Sequence, residues 1–547
     1  MKQLTKTDFI SYKECHHNVW VKWHKPEVYN QFEVSEFEKS LGEMGNEVEK
    51  LARGMFPNGY LVEKRSEGAQ ELTKQCLAKK TPVIFQAVFA VEKYLAATDV
   101  LKWNEAANAY DLYEIKMSST EDDDDDDGKP AKVNKKKELQ FEYDLAFQAN
   151  VLEMSGVTVN DKYLIRLNKK YKKSGDLDFT PGQLFIQENK TEAVNELMPT
   201  ARMEMEEAHD FLSRVEMPKG PCLCYYKGRN SHCTTFSYIN PDTIENGKPI
   251  YSVHDLYRIG NSKKYLRELL DEGILKIEHV PEDERLQPKK VPEGKEPGKP
   301  RKLNQVQVHK TKKTIIDIWS IKKDLHSLSF PLYFLDYETY PTAIPQFNGY
   351  HPYQHIVFQY SLHVVTEEDF KRGLEPKHFE CLIFDGDPAE RIVESLRKDI
   401  GDTGSVISWY KNFENHRNRE LADLVPLRYA FLHSVIDRTY DLMDIVNQQY
   451  YVHHGFKGSS SIKKVLPVIL EEIKKLDPAN VPNLSYKALG VQSGTDAIES
   501  YRQISTGELT GKEADVKKIQ MLEYCKLDTY AMYVLWKFFI DLVEREG

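Results

Sequence analysis

The stretch PLYFLDYETY at residues 331–340 decides the fold of the C-terminal part of the chain. Its nearly continuous apolar character is typical of a central β-strand that is buried on both faces. Side chains two residues apart on a strand share a face, so Asp336 and Glu338 are predicted to project together. A carboxylate on a buried strand is costly unless a cation compensates it. The alternative interpretation is a strand end at which both carboxylates lie in water.

Strands and helices alternate after this stretch. Strands are predicted at LHVV (362–365), FECLIF (379–384) and SVISWY (405–410), and helices at 387–400 and 518–543. Such alternation predicts an α/β unit, which begins near Leu328. SVISWYKNFEN enters a helix directly, and this places Glu414 at the strand-to-helix corner.

The N-terminal part is also predicted to be α/β. Apolar residues at three- and four-residue steps predict a helix over Glu36–Phe56. Strands are predicted at PVIFQAVFAV, TDVLKW, YDLYEIKM, KYLIRLNK and GQLFIQEN, and a helix at YDLAFQANVLEMSG with Gly156 as its C-cap. We therefore expect an N-terminal domain (1–240), a helical connector with a Pro/Lys-rich linker (241–327) and a C-terminal domain (328–547). Residues 251–277 are expected to be mostly helical.

The net charge of the chain does not indicate whether it binds nucleic acid. The 547 residues include 75 Lys and Arg and 85 Asp and Glu, for a formal charge of -10. Glu121 and the six aspartates Asp122–Asp127 supply -7 of it, so one predicted surface loop sets the sign. No apolar run approaches the roughly 18 residues of a membrane span. The first ten residues lack the apolar region of a signal peptide, so we expect a cytoplasmic protein.

The C-terminal carboxylates resemble the motifs of the DEDD exonucleases in the ribonuclease H-like superfamily. Those enzymes carry D-x-E on the first strand, an acidic residue after N-x-F, and Y-x-x-x-D on a late helix. The corresponding residues here are Asp336 and Glu338, Glu414 after Asn412 and Phe413, and Tyr524 with Asp528. The resemblance covers residues 331–547, and Glu414 departs from the usual Asp.

The resemblance implies a 3′-to-5′ exonuclease that uses two Mg²⁺ or Mn²⁺ ions. Two divalent ions about 4 Å apart activate a water and stabilise the departing 3′ oxygen of an in-line displacement. Asp336, Glu338 and Asp528 are implied metal ligands, and Tyr524 is implied to orient the water. A surface aspartate and a core tyrosine are the alternative interpretation of the Y-x-x-x-D pair.

Asp99 followed by Glu114 and Lys116 resembles the PD-(D/E)XK motif, in particular its RecB-like and CRISPR-associated exonuclease branch. This implies a restriction-endonuclease-like fold with a second divalent ion held by Asp99 and Glu114, while Lys116 positions the water. Gly45 to Val48 resembles the G-x-x-V-H segment of that branch, with its His replaced by Glu47 or, at the aligned position, Glu49. We expect Glu47 to be the fourth catalytic member of this site. Gln148 resembles the start of a Q-x-x-x-Y segment that contacts nucleic acid, although residue 152 is Leu. Alternating charges on an exposed strand are the competing interpretation.

Four cysteines suggest a further metal site. Cys222, Cys224 and Cys233 fall within twelve residues, and Cys15 lies near the N-terminus. Members of the same nuclease branch bind a 4Fe-4S cluster through one cysteine before the nuclease core and three after it, so the resemblance implies such a cluster. Four thiolates also suit zinc, and His16, His17 or His232 is an alternative ligand.

Several residues are candidate nucleic-acid contacts. Tyr353 and Gln359 flank or lie on the predicted strand beside Asp336, and aromatic and amide groups there could stack on and hydrogen-bond to terminal nucleotides. Lys463 and Lys464 begin a predicted helix in GSSSIKKVLP and could meet phosphates. Core packing of the hairpin and a solvated helix face are the alternatives.

Fused in this order, the two nuclease-like parts resemble an uncharacterised bacterial family known as a domain of unknown function. We therefore expect a two-site nuclease that acts on nucleic acid, DNA in preference to RNA, in repair or defence, with no membrane association. A nucleic-acid-binding scaffold with inactive nuclease domains and a cluster-gated binding module are the alternatives.

Overall fold

The computed structural model describes residues 2–32, 36–63, 68–119, 134–288, 298–486 and 489–547. The acidic run Glu121–Asp127 and part of the predicted linker, 289–297, lie outside these residues. The chain is a mixed α/β protein with several sheets, and it divides into two compact units. Unit 1 consists of residues 1–225, 231–244 and 342–354, and unit 2 of residues 226–230, 245–341 and 355–547. None of the described helices is long and apolar enough to cross a membrane.

Unit 1 contains the elements that carry Asp99, Glu114 and Lys116. Its helices are α1 (Lys6–Glu14), α2 (His16–His24), α3 (Pro26–Tyr29), α4 (Glu36–Ala52), α5 (Ala69–Ala78), α6 (Lys135–Met154), α7 (Thr191–Leu212) and α8 (Phe236–Ile239). Its strands are β1 (Leu4–Thr5), β2 (Tyr60–Leu61), β3 (Val83–Phe85), β4 (Val88–Val91), β5 (Tyr94–Ala97), β6 (Val100–Asn104), β7 (Ala109–Ser119), β8 (Val159–Leu167) and β9 (Phe185–Asn189). Strand β10 (Ile244–Glu245) falls at the end of its second segment.

The main sheet of unit 1 has the strand order β2-β3-β6-β7-β8-β9. Strand β7 lies in its interior, antiparallel to β6 and parallel to β8. Helix α6 begins where the Asn134 side chain accepts the backbone N–H of Lys137, and it ends before Gly156, whose φ is 80°. Glycine adopts this left-handed conformation without a steric penalty, so it stops the helix at the predicted position.

Unit 2 contains the remaining elements. Its strands are β11 (Lys248–Pro249), β12 (Ile315–Ile316), β13 (Leu332–Pro341), β14 (His355–Val365), β15 (Lys377–Leu382), β16 (Ser405–Ser408), β17 (Thr439–Asp441) and β18 (Tyr451–Val452). Its helices are α9 (Lys263–Asp271), α10 (Arg301–Thr311), α11 (Ile318–His326), α12 (Glu367–Lys371), α13 (Ala389–Asp399), α14 (Lys411–Leu424), α15 (Tyr429–Asp437), α16 (Asp444–Asn447), α17 (Ile462–Leu476), α18 (Gly494–Ser505) and α19 (Gly511–Glu546).

Strand β13, the stretch that decides the fold, is the central strand of a five-stranded sheet ordered β15-β14-β13-β16-β17. It runs antiparallel to β14 and parallel to β16. Alternate residues serve two cores: Leu332 and Phe334 pack with α19, whereas Tyr333 and Leu335 pack with α13 and α14. Complete burial of a side chain such as Phe334 contributes about 1.5–3 kcal/mol, so this alternation fixes the register of the strand.

Most predicted elements are confirmed. The helix at residues 36–56 is α4 followed by a single 3-10 turn, and the predicted strands from residue 82 to 117 are β3, β4, β6 and β7. The prediction of a mostly helical segment over 251–277 is wrong, because only α9 is α-helical there. Arg258 adopts a left-handed φ of 47°, which interrupts any helix, and 3-10 turns fill the rest.

The two units do not follow the predicted domain boundaries closely. Residues 342–354, assigned from sequence to the C-terminal domain, belong to unit 1, and residues 245–327 of the predicted connector belong to unit 2. Residues 342–354 connect β13 to β14. The sequence shows no change of composition at residue 342 that would mark a domain boundary.

Candidate functional site

The C-terminal candidate site is built on β13. Asp336 and Glu338 continue the face of Leu332 and Phe334, so both carboxylates point toward α19, as the two-residue spacing predicts. Cys525 on α19 approaches them, with its Sγ 3.6 Å from Oδ2 of Asp336. One ligand atom from each of Asp336, Glu338 and Cys525 falls within 4.8 Å of the others. The spacing of these donor atoms is suited to a shared cation.

Glu414 reaches the same site from the corner between β16 and α14. The corner is held by Asp441, whose carboxylate accepts the backbone N–H groups of Tyr410 at 2.9 Å and Lys411 at 3.1 Å. Glu414 follows in the first turn of α14 and is buried. Among the described residues, no donor reaches its Oε2 atom. A buried carboxylate oxygen without a donor costs free energy, which a bound cation would recover.

Helix α19 contributes Tyr524 and Asp528, which lie on one buried face because they are four residues apart. Asp528 accepts a hydrogen bond from the hydroxyl of Tyr486. Burial raises the pKa of the Asp528 carboxyl to about 6, and the hydrogen bonds from Tyr486 and Tyr524 oppose that rise. The Y-x-x-x-D pair therefore lies in the protein interior beside the β13 carboxylates, not on the surface.

The buried carboxylates repel one another. Burial, followed by the charge of Asp528, raises the pKa of Asp336 well above its ordinary value. Burial and the charges of Asp336 and Asp528 raise the pKa of Glu338. Burial and the charge of Asp336 raise the pKa of Glu414. Lys463 is the cation that lowers the pKa of Asp336, Glu338 and Asp528. Arg417 lowers the pKa of Glu414 in the same way. These two cationic side chains thus face four acids, and the remaining negative charge favours divalent cations.

Lys463 lies at the edge of this centre. Its Nζ is 5.1 Å from the ring centre of Tyr524 and 5.4 Å from that of Tyr486, and it donates to the carbonyl of Gln492 at 3.1 Å. Lys464, the other predicted phosphate contact, is exposed. The two neighbouring lysines therefore differ in their distance from the carboxylates, although both begin α17.

Two other candidate nucleic-acid contacts have internal partners. Gln359 is buried opposite Glu338 in the β13–β14 pair, and its Nε2 donates to the carbonyl of Met521 at 3.1 Å. Tyr353 belongs to unit 1, where its hydroxyl donates to the carbonyl of Met117. Neither side chain is placed at the surface of the C-terminal centre.

The second candidate site lies on β7 in unit 1. Asp99 precedes β6, directly across from Glu114, and its Oδ2 accepts the backbone N–H of Ile115 at 2.8 Å. Burial and the charge of Glu114 raise the pKa of Asp99 to about 7. Lys116 donates to Oε1 of Glu114 at 2.7 Å. The structure thus brings together the three residues that the PD-(D/E)XK resemblance implies.

Sequence reasoning missed two members of this second site. Lys6, the first residue of α1, donates to Oε1 of Glu114 at 2.5 Å, and Asp144 on α6 accepts a hydrogen bond from Lys116. Gln148 donates from Nε2 to Oε2 of Glu114 at 2.6 Å. Asp144 could have been found because it lies one helical turn before Gln148; no local pattern marks Lys6. Both oxygens of Glu114 therefore already have donors.

The structure offers Glu49, rather than Glu47, as the fourth acid of this site. Glu47 is exposed on α4, whereas Glu49 is half-buried, and its charge contributes to the raised pKa of Asp99. Gln86 donates to Oε1 of Glu49 at 2.8 Å. Residues two apart on a helix point in different directions, so both cannot face the strand. Alignment with the G-x-x-V-H segment favours the same position.

The predicted cysteine cluster is present. Cys15, Cys222 and Cys224 are buried and Cys233 is half-buried, and one Sγ from each lies within 4.8 Å of the others. The candidate histidines are directed elsewhere. His16 stacks on Tyr12, His17 lies 3.2 Å from the carbonyl of Pro218, and His232 stacks on Phe236. The donor set is therefore four thiols, the ligand type that zinc and iron–sulfur centres share.

Residues 333–461 match the model of a family described as a domain of unknown function, DUF2779. The match includes Asp336, Glu338 and Glu414 and ends before Lys463, Tyr524 and Asp528. It covers less than a quarter of the chain and identifies no nuclease family. None of the curated proteins matches the chain.

Proposed function

We propose that the protein is a metal-dependent nuclease whose C-terminal centre hydrolyses phosphodiester bonds of nucleic acid. The observation that carries this proposal is the convergence of four acids. Glu338, Glu414 and Asp528 are buried and Asp336 is half-buried, and one Glu414 oxygen among them has no donor among the described residues. A folded protein maintains such repulsion only where something compensates it, and divalent cations are the partners that oxygen ligands favour. The proposal includes a ribonuclease H-like fold of the exonuclease type for unit 2.

Each residue has a role in this proposal. Asp336, Glu338 and Asp528 would hold Mg²⁺ or Mn²⁺, with Glu414 completing the set. When bound, two such ions supply an activated water and stabilise the negative charge on the leaving oxygen. Tyr524, one turn before Asp528, orients the attacking water through its hydroxyl. Lys463 places a positive charge beside both tyrosine rings and is positioned to meet a substrate phosphate.

The expected substrate is DNA in preference to RNA, cleaved from the 3′ end. This direction rests on the resemblance of the three acidic motifs to those of the DEDD exonucleases. Glu414 stands where those enzymes usually have Asp, so this metal-binding side chain is one methylene longer. The corner held by Asp441 is the element that would accommodate that length, because it sets where α14 begins.

Unit 1 is proposed to carry a RecB-like PD-(D/E)XK site built on Asp99, Glu114 and Lys116. Its charge balance differs from that of the C-terminal centre, since Lys6 and Lys116 both donate to one oxygen of Glu114. A cation must compete with both amines for this oxygen, while in the described part of the chain the other oxygen of Glu114 accepts only from Gln148. This observation favours the alternative in which unit 1 binds nucleic acid without cleaving it, and unit 2 carries the catalysis.

The experiment is a Mg²⁺-dependent degradation assay on 3′- and 5′-labelled single- and double-stranded DNA and RNA. The double variant Asp336→Asn, Glu338→Gln removes two charges and keeps side-chain volume, and Asp385→Asn is the matched control because Asp385 is exposed on the same unit. We expect the double variant to lose at least 100-fold in rate, and the control to keep it. Full activity of the double variant would exclude the C-terminal centre, and a Glu114→Gln variant then tests unit 1.

A further inference from the structure

The four cysteines of unit 1 are closer together than a 4Fe-4S cluster requires. Such a cluster holds its four thiolates outside a cube of iron and sulfide, with their sulfurs on the order of 6 Å apart. The Sγ atoms of Cys15, Cys222, Cys224 and Cys233 all lie within 4.8 Å of one another. The cluster implied by the nuclease resemblance therefore does not fit this donor set.

We propose instead that these cysteines form a mononuclear tetrathiolate site that holds one zinc ion. Zinc binds four thiolates tetrahedrally at about 2.3 Å, which puts neighbouring sulfurs roughly 3.8 Å apart. The observed spacing leaves room for one ion of that size and not for eight inorganic atoms. Four thiolates without an open position are typical of a structural zinc site.

The surroundings of the cysteines support a closed structural site. Cys222 and Cys224 lie at the start of a short 3-10 turn in which the backbone N–H of Tyr225 donates to the carbonyl of Cys222 at 2.9 Å. Nδ2 of Asn240 donates to Sγ of Cys222 at 3.4 Å. Hydrogen bonds to a thiolate stabilise its charge and orient it, as expected around a structural metal. Cys15, Cys222 and Cys224 are buried and Cys233 is half-buried, so protein surrounds most of the site, as is typical of a structural metal.

The site joins distant parts of unit 1. Cys15 lies between α1 and α2, whereas the other three cysteines follow α7. Helix α1 ends at Glu14 and begins with Lys6, whose ammonium group reaches Glu114. One ion at Cys15 therefore anchors the far end of the helix that brings Lys6 to the second carboxylate site. The zinc is inferred to position α1 and to take no part in chemistry.

The test is the metal content of the full chain, expressed with both iron and zinc supplied and purified anaerobically without chelator. We expect one zinc per chain, no acid-labile sulfide and no brown colour. Cys233→Ser should lose the zinc, while Cys381→Ser, at a half-buried cysteine of β15 outside the cluster, should keep it. Three or four irons with matching sulfide, or a metal-free chain, would overturn the proposal.

A variant that misfolds would lose zinc for an unrelated reason, so a second measurement uses the unaltered protein. Zinc is replaced by cobalt in the full chain, and the visible absorption of the cobalt site is recorded. We expect the intense bands of tetrahedral thiolate-bound cobalt, at one equivalent per chain. Weak bands of octahedral, oxygen-bound cobalt alone would refute a tetrathiolate site. Neither measurement depends on nuclease activity.

Discussion

Replacing Asp528 by Asn should make the metal-free protein more stable at neutral pH. Burial raises the pKa of Asp528 from 3.8 to about 6. Each pKa unit corresponds to about 1.4 kcal/mol, so the ionised carboxylate costs the folded state on the order of 3 kcal/mol. Asn keeps an oxygen that can accept the hydrogen bond from Tyr486, but its amide needs a new acceptor, which reduces the gain. We expect a net gain of about 1–3 kcal/mol.

The sign of the effect depends on pH. Below the unfolded pKa near 4, the carboxyl is protonated in both states and the substitution gains nothing from charge removal. As pH rises from about 4 through the folded pKa of about 6, wild-type stability is lost and the advantage of the variant appears. The advantage should therefore be complete at pH 7.5 and largely absent at pH 4.

The measurement is calorimetry of the full chain in EDTA at both pH values, and at pH 7.5 with Mg²⁺. At about 2–4 °C per kcal/mol, the transition of unit 2 should rise by several degrees in Asp528→Asn at pH 7.5. Mg²⁺ should stabilise the wild type more than the variant, because the variant lacks a ligand. The control is Asp515→Asn, an exposed position on α19. A variant less stable than wild type in EDTA at pH 7.5, or an equal response to Mg²⁺, would refute the reasoning.

Three further outcomes are expected. Lys463→Met should reduce the cleavage rate about 10- to 100-fold, whereas Lys464→Met, at the exposed neighbour, should change it less than twofold; equal effects would contradict the assigned role of Lys463. Tyr524→Phe should lower kcat and change DNA affinity less than twofold. The affinity is measured by fluorescence anisotropy with Ca²⁺ in place of Mg²⁺, and a loss of affinity as large as the loss of kcat would contradict the role of Tyr524 in orienting the water. Glu49→Gln should lower the pKa of Asp99, as measured from its carboxyl carbon resonance in an NMR titration. Glu47→Gln, at an exposed position, should leave that pKa unchanged. A lower pKa of Asp99 in both variants would mean that long-range charge alone is responsible.

The strand and the helix faces that carry the C-terminal centre could be predicted from the sequence. The D-x-E spacing on an apolar strand, the strand-to-helix corner at Glu414 and the i,i+4 pair of Tyr524 and Asp528 depend only on local periodicity. The structure places each of them as the pattern predicts. Their mutual proximity could not be derived, because it depends on how α19 crosses the sheet.

The residues that sequence reasoning missed share a physical cause. Lys6 and Tyr486 reach their sites from parts of the chain that are distant from the motifs they join. A single charged residue at a helix start has no period, so no pattern distinguishes it from a solvated one. Glu49 differs, because its alignment with the G-x-x-V-H segment already identifies it as the alternative to Glu47.

The two carboxylate centres differ most in what already neutralises them. At Glu114 two lysines and a glutamine occupy both oxygens, so the free energy of the ionised acid is compensated without a metal. At Asp336 and Glu338, burial and the neighbouring acids raise each pKa, whereas Lys463 and, for Asp336, a hydrogen bond from Cys525 oppose the rise. Divalent cations should therefore bind unit 2 first, with the larger rise in stability, because in unit 1 they compete with two lysines for Glu114. Metal titration followed by separate unfolding transitions would show that order, and preferential stabilisation of unit 1 would reverse the assignment of the catalytic centre.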